Sequence, residues 1–262
     1  MSFMRSPLRA GIAAAALVLP ALAPAAAATA AAAPAVFAPI HHVAGSTTTP
    51  YFVGHGGVHF ANTESTNWAG YAAVGSDDEY TSVSTTFVQP KVTCSSGDQY
   101  AAFWVGLDGY SSDSVEQTGT EADCVGKTAE YSAWYEMYPA NPVTYSKTVK
   151  AGDTIVETVT YSSSNKYTLY LDDETQGWSK STSKSGSYDR SSAEVIAEAP
   201  YDGEVLPLAN FGTVSFTSST VNGSSLASSD PTGINMATTS GTLEATTNAL
   251  SGGSFSITWN SK

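Results

Sequence analysis

The chain has 262 residues and a formal net charge of −13, because 11 Lys and Arg residues face 24 Asp and Glu residues. Its 42% hydrophobic and 11% aromatic content can offset the entropy cost of ordering, which excludes a disordered protein. The sequence has no basic stripe that could neutralise phosphates, so we expect neither a nucleic-acid partner nor an anionic membrane partner.

The first 60 residues differ chemically from the rest. They contain two arginines, no acidic residue and all the histidines of the chain, which are His41, His42, His55 and His59. Residues 61–262 contain 9 basic and 24 acidic groups, and therefore carry a net charge of −15. The two parts therefore differ in charge and composition, and we interpret each part separately.

Residues 1–28 are predicted to be an export signal. Arg5 and Arg9 precede a run of Ala, Leu and Val that ends in small residues, the pattern of a cleavable signal. A transmembrane anchor is the alternative, but Pro20 and Pro24 interrupt the run and no basic stop follows it. We therefore expect a secreted, extracellular protein with no membrane contact after signal removal, in a compartment where disulfides persist.

Residues 29–60 are predicted to be a pro-segment or a linker. They are rich in Ala and Pro first, and in Thr and Gly afterwards. Because imidazole gains charge near pH 6.5, a pro-segment docked on the acidic domain would change its charge on acidification. Chance clustering of the histidines, or binding of stray metal, is the alternative. We expect the domain to have its own pro-segment as a partner.

Residues 61–262 are predicted to form one all-β domain. Apolar and polar residues alternate with period two between turn signals, and the segments are rich in Val, Thr and Tyr. The clearest examples are residues 80–87, 154–161, 166–171 and 254–259. Residues 172–177 resemble the turn of a hairpin. Many short strands of this kind indicate a sandwich, a jelly roll or a barrel.

Cys94 and Cys124 are predicted to pair. Exported thiols oxidise, and neither cysteine has a histidine in the domain that could activate it. A bridge closing a loop of this length stabilises by about 3–4 kcal/mol in the chain-entropy model.

Much catalytic chemistry is excluded once the first 60 residues are removed. The remaining domain has no histidine, which excludes Ser-His-Asp and Cys-His catalysis and zinc sites built on imidazole. It also lacks the G-x-S-x-G, H-E-x-x-H and G-x-x-x-x-G-K motifs. No cofactor or metal is implied, and the chemistry that remains is that of carboxylates, amides, hydroxyls and aromatic rings.

Three stretches concentrate these residue types. They are Phe103–Gly109 with Glu116–Gly119, then Ala133–Pro139, then Ser192–Pro200. On a strand, Trp134 and Glu136 share a face, and so do Glu194 and Glu198. An aromatic and acidic face could hold an extended polar ligand. The ordinary alternative is that these carboxylates lie on solvated strand faces and that the tryptophans are half-buried in the core.

The same stretches resemble the glutamic peptidases, or eqolisins. The resemblance rests on W-V-G-L-D-G, Q-T-G, A-W-Y-E-M-Y-P and A-E-V-I-A-E, in this order, and it extends from N-W-A-G to P-L-A-N-F-G. It covers residues 65–262. It implies a sandwich of two curved antiparallel sheets, made as a precursor and active in acid.

The resemblance also assigns site residues. It makes Gln117 the catalytic amide and Glu198 the catalytic carboxylate; the choice of Glu198 over Glu194 depends on the motif alone. The residues that match positions lining or supporting the cleft are Trp104, Asp108, Trp134 and Glu136. Val195 and Ala199 depart from the family pattern, which has an aromatic residue and an acid there. These departures weaken what the resemblance implies about substrate pockets, and they leave the Gln/Glu pair intact.

The predicted function is that of a secreted acid endopeptidase, acting on polypeptides as a monomer. Two other classes are open. A β-sandwich glycoside hydrolase could pair Glu136 with Glu198 across about 5–9 Å, and a carbohydrate-binding protein would use Trp and Tyr faces alone. Neither needs Gln117, so the ordered Gln117 and Glu198 motifs favour the peptidase.

Overall fold

The computed structural model describes residues 58–59 and 61–262, with side chains from residue 63 onward. The predicted signal at 1–28 and most of the predicted pro-segment at 29–60, with the hypothesis of a histidine switch, lie outside the described residues. Among the described residues, no helix is long and apolar enough to cross a membrane.

The described chain is built almost wholly from β-strands, as predicted. The strands are β1 Val58–His59, β2 Ala61–Ser65, β3 Trp68–Val74, β4 Ser82–Val88, β5 Ala102–Leu107, β6 Val115–Val125, β7 Thr128–Tyr138, β8 Val143–Thr144, β9 Thr154–Ser162, β10 Lys166–Asp173, β11 Trp178–Ser185, β12 Ser192–Glu198, β13 Thr213–Val221, β14 Ser224–Ser225, β15 Thr232–Ala237, β16 Leu243–Thr247, β17 Leu250–Ser251 and β18 Phe255–Trp259. One 3-10 helix spans Leu226–Ser229.

The strands form two halves of a sandwich, which confirms the predicted fold class. One half has the order β11-β10-β9-β4-β13-β18-β16, and the other has the order β15-β3-β12-β5-β6-β7-β8. The two halves are joined because β15 pairs with β16. Most neighbours are antiparallel, but β2 runs parallel to β15. The predicted hairpin turn is confirmed, since β10 and β11 pair up to Asp173 and Trp178.

The main core lies between the two halves and follows the predicted alternation. Along β10, Tyr167, Leu169 and Leu171 are buried while the residues between them are partly exposed. The large side chains of this core include Tyr71, Phe87, Phe103, Tyr167, Leu169, Leu171 and Phe216. One face of four strands packs into this core; the strands are β12, β5, β6 and β7. Because side chains alternate along a strand, the opposite face of these strands is available for a functional site.

Two glycines allow strands to approach closely. Gly70 in β3 has a φ of +145°, and a Cβ there would lie 2.1 Å from the carbonyl oxygen of Val195 in β12. A Cβ on Gly119 in β6 would lie 2.6 Å from the Cβ of Trp104. Glycine at these positions is therefore required by packing, and it leaves room for the indole of Trp104.

The disulfide between Cys94 and Cys124 is confirmed. It joins the segment that leads into β5 to the far end of β6.

The terminal strand β11 contacts the other half of the sandwich. The Tyr145 hydroxyl and the Thr182 hydroxyl lie 2.9 Å apart. The Lys184 ammonium lies 5.1 Å from the centre of the Tyr135 ring. The two ends of the strand order thus meet through side chains.

Candidate active site

A second apolar cluster lies on the opposite face of β3, β12, β5, β6 and β7 from the main core. We call it the tryptophan face, and its members are Trp68, Ala72, Ala102, Trp104, Val115, Trp134, Ile196 and Ile234. The Trp68 and Trp104 rings meet edge to face, with centroids 5.1 Å apart. Such a pair fixes both indoles in place.

The strand register aligns the predicted site residues in rows across this face. The rows are Trp68, Glu198, Ala102, Glu121 and Ser132; then Gly70, Ile196, Trp104, Gly119 and Trp134; then Ala72, Glu194, Gly106, Gln117 and Glu136. Because opposed residues in an antiparallel sheet point to the same side, these side chains share one surface. The structure therefore brings Gln117, Glu198, Trp104, Trp134 and Glu136 to one face, whereas Asp108 lies beyond the end of β5.

Glu198 lies at the end of β12 and is held by two N–H donors. Trp104 Nε1 donates to Oε2 over 2.8 Å, and Asn67 Nδ2 donates to Oε1 over 3.2 Å. The side chain is 0% exposed. Donors directed at a carboxylate favour its ionised form, which opposes the effect of burial.

Gln117 is positioned by its neighbour on β7. Its Nε2 donates to Glu136 Oε2 over 2.9 Å, and both side chains are fully buried. The Oε1 of Gln117 has no hydrogen-bond partner among the described residues. The amide is therefore oriented through its nitrogen and retains an acceptor for another molecule.

Gln117 and Glu198 share a face but are not adjacent in the sheet. β5 separates their strands, and the register offsets them by four residues along the strands. Trp104 and Gly119 lie in the row between them. The two side chains therefore face the same surface, on either side of the row that contains Trp104.

Asp108 supports the site from behind. Its carboxylate accepts hydrogen bonds from the Arg190 N–H over 2.7 Å and the Ser191 N–H over 2.9 Å. Its backbone has a φ of +69°. These bonds fix the start of β12, the strand that presents Glu198, so Asp108 acts on the backbone in this structure and does not line the tryptophan face.

Three buried carboxyls are neutralised by their surroundings. Burial, and then the negative charge of Asp108, raises the pKa of Glu116 to about 10. Burial also raises the pKa values of Glu157 and Glu194 well above the ordinary range. Glu194, the other acid of the β12 motif, is therefore a poor base in acid, because it holds its proton there.

Sequence reasoning missed the contribution of the chain before β3. Asn67 contacts Glu198, and Ser65 contacts Asn67. In the sequence, the N-W-A-G motif marks only one end of the resemblance to the glutamic peptidases. The signal that could have found this contact is an amide side chain directly before a strand that begins with tryptophan.

Comparisons with known proteins place this chain in a family. Residues 66–259 match the model of the Peptidase A4 family. Aspergillopepsin-2 of Aspergillus niger is 30% identical, over 74% of this chain and 78% of the relative.

Solved structures are similar over the same part of the chain. A scytalido-glutamic peptidase crystallised with a transition state analog inhibitor is 29% identical, with a TM-score of 0.65 over 74% of this chain and 98% of that one. The aspergilloglutamic peptidase of Aspergillus niger is 27% identical, with a TM-score of 0.55 over 62% and 99%. The chain therefore belongs to the peptidase A4 family and is a glutamic-type endopeptidase, a hydrolase that acts on polypeptides.

Proposed function

We propose that the protein is a secreted acid endopeptidase in which Glu198 is the general base and Gln117 orients water and stabilises the oxyanion. The observation that carries this proposal is the pair of donors on Glu198, from Trp104 and Asn67. A base that works in acid must remain ionised there, and donors directed at both oxygens favour that state.

The Gln117 amide supports the second role. Nε2 is fixed by Glu136, while the buried Oε1 has no hydrogen bond among the described residues. A carboxamide has one acceptor and two N–H donors. Oε1 can accept a hydrogen from water, and the N–H that Glu136 does not use can donate to the oxygen of the substrate carbonyl.

The reaction then proceeds in two steps. Glu198 takes a proton from water as the water oxygen bonds to the peptide carbonyl carbon, and the carbonyl oxygen becomes an oxyanion that Gln117 stabilises. The protonated Glu198 then donates this proton to the departing nitrogen. The C–N bond breaks, the carbonyl reforms, and Glu198 returns to its ionised state.

The tryptophan face would hold the substrate. Trp104 and Trp134 provide flat apolar area, and Glu136 contributes a carboxylate beside Gln117. An extended polypeptide could lie over these rows, as ligands do in concave and mostly apolar sites. Asp108 would contribute indirectly, through the position of β12.

We also propose that the chain is a precursor with a signal at 1–28 and a pro-segment up to about residue 60. Glu198, Gln117 and Glu136 are 0% exposed, so a polypeptide cannot reach them without a rearrangement. The backbone of β1, inside the predicted pro-segment, pairs with β17 of the body. Both observations support a form that is inactive until it is cut.

Two variants and one matched control test the catalytic roles. Gln117→Ala and Glu198→Gln should fold and lose cleavage of denatured protein at about pH 3–4, with a loss of at least 10²-fold for the amide. Glu194→Gln, on the same strand and face, should retain activity. Full activity in both catalytic variants, or an inactive Glu194→Gln beside an active Glu198→Gln, would overturn the assignment.

The precursor proposal has its own test. The Glu198→Gln precursor, purified and acidified, should stay uncut, whereas the unaltered precursor should lose residues up to about 60. Trimming of the variant at the normal site, in the absence of other peptidases, would show that the chain does not mature itself.

A further inference from the structure

The side chain of Asn67 is held in one orientation by Ser65, whose hydroxyl group uses all of its hydrogen-bonding capacity. The Ser65 hydroxyl oxygen accepts from the Asn67 N–H over 3.3 Å and from the Trp68 N–H over 3.2 Å. A hydroxyl has two acceptor lone pairs and one proton. With both lone pairs engaged, Ser65 can offer only its proton, and it donates this to Asn67 Oδ1 over 3.1 Å.

This arrangement fixes which end of the amide faces Glu198. If the Asn67 amide were turned over, its NH₂ group would face the hydrogen of Ser65, donor against donor. Oδ1 therefore faces Ser65, and Nδ2 faces Glu198 Oε1. Both Asn67 and Ser65 are almost fully buried, at 2% and 3% exposed, so water cannot easily replace either bond.

A second donor to Glu198 imposes the same requirement. Trp104 Nε1 is a donor that cannot accept, and it faces Oε2. Each carboxylate oxygen thus meets a group that can only donate. Hydrogen bonds of this kind are stronger to an ionised carboxylate than to a neutral carboxyl group, so both donors favour the ionised form of Glu198.

We propose that Asn67 is a positioning residue of the peptidase reaction, whose amide, oriented by Ser65, keeps the Glu198 carboxylate in the orientation and charge state that a base needs. The proposal rests on the proposed role of Glu198. Asn67 does not touch the reacting atoms and acts only through Glu198.

Other titratable side chains lie on the face that carries Glu198, but they cannot take over the role of the Asn67 amide. Those on the same face are Glu121 and Asp123 on β6, Glu130, Glu136 and Tyr138 on β7, and Glu194 on β12, and Glu64 lies on β2. β3 and β5 carry no titratable side chain on this face. Apart from the phenol of Tyr138 these groups are carboxyls, so none of them can bring positive charge close to Glu198.

The test is the pH dependence of kcat/KM for a soluble peptide substrate. Asn67→Leu, which has similar size and no donor, should move the acidic limb of the profile to higher pH by about one unit, because a bond to a charged group is lost. At pH 3 its kcat/KM should be about tenfold below that of the unaltered enzyme, mainly through kcat. Ser65→Ala, a smaller change that folds more readily, should move the limb in the same direction by less.

A structural control separates positioning from stability. Asn235→Ala on β15 removes a side-chain acceptor from the Thr247 N–H, a 2.8 Å bond, without contact to Glu198. It should lower the melting temperature and leave the acidic limb in place. If the limb is unmoved in folded Asn67→Leu and in Ser65→Ala, the proposal is wrong even though Glu198→Gln is inactive. If Glu198→Gln is active, the role of Glu198 itself is wrong.

Discussion

The stability of this domain should fall as the pH rises, and Glu116 should cause a large part of the fall. Glu116 is 0% exposed, and burial with the nearby charge of Asp108 raises its pKa from 4.5 to about 10. The folded chain therefore holds this proton more tightly than the unfolded chain. The resulting stability is fully present below pH 4.5 and is lost as the pH rises towards 10.

The magnitude follows from the width of this window. Each pH unit between the two pKa values changes the free energy of unfolding by about 1.4 kcal/mol per group. Between pH 5 and pH 7, Glu116 alone should therefore remove about 3 kcal/mol. Glu157 and Glu194 are shifted in the same direction by burial and should add to the loss.

Glu116→Gln tests this reasoning, since glutamine resembles the protonated acid at every pH. Urea unfolding is measured at pH 4, 5, 6 and 7 in the Glu198→Gln background, which prevents self-digestion. The free energy of unfolding of Glu116→Gln should decline less steeply, so that it gains about 3 kcal/mol relative to its parent between pH 5 and 7. The exposed Glu174→Gln should run parallel to the parent. Parallel curves for Glu116→Gln as well would refute the assignment of the slope to Glu116.

Three further predictions concern the site and its frame. Trp104→Phe keeps an aromatic ring but loses the N–H that binds Glu198, so kcat/KM at pH 3–4 should fall about tenfold or more while the circular dichroism spectrum is unchanged. Gly70→Ala should destabilise by at least about 3 kcal/mol or prevent folding, measured as the yield of soluble protein, because the new Cβ would overlap a carbonyl of β12. Replacing Cys94 and Cys124 by Ser should lower the free energy of unfolding by about 3–4 kcal/mol, and an unchanged urea midpoint would contradict this.

The strands were predictable because their alternation is local. Residues 166–171 and the turn that follows need only period-two burial and turn chemistry, and both are confirmed. The disulfide was predictable for a different reason: two cysteines in an exported chain have few alternatives.

The site was only partly predictable because it depends on register. Sequence alone could not separate Glu194 from Glu198, since both lie on one face of β12. The structure distinguishes them by their contacts: Glu198 meets two donors, whereas burial raises the pKa of Glu194. The parallel pairing of β2 with β15, which brings Ser65 to the site, has no local signal either. Such pairings are set by packing between segments far apart in sequence.

The contact between the terminal strand β11 and the opposite half of the sandwich has a consequence for solubility. A sheet edge with unpaired N–H and C=O groups is a template for aggregation. Here the side chains of Thr182 and Lys184 on the edge strand β11 contact the opposite half of the sandwich. Lys180 and Lys184 also place positive charge on this edge, and lysine remains charged in acid when carboxylates are neutral. Edge-to-edge association is therefore opposed at the pH where the rest of the surface loses its negative charge.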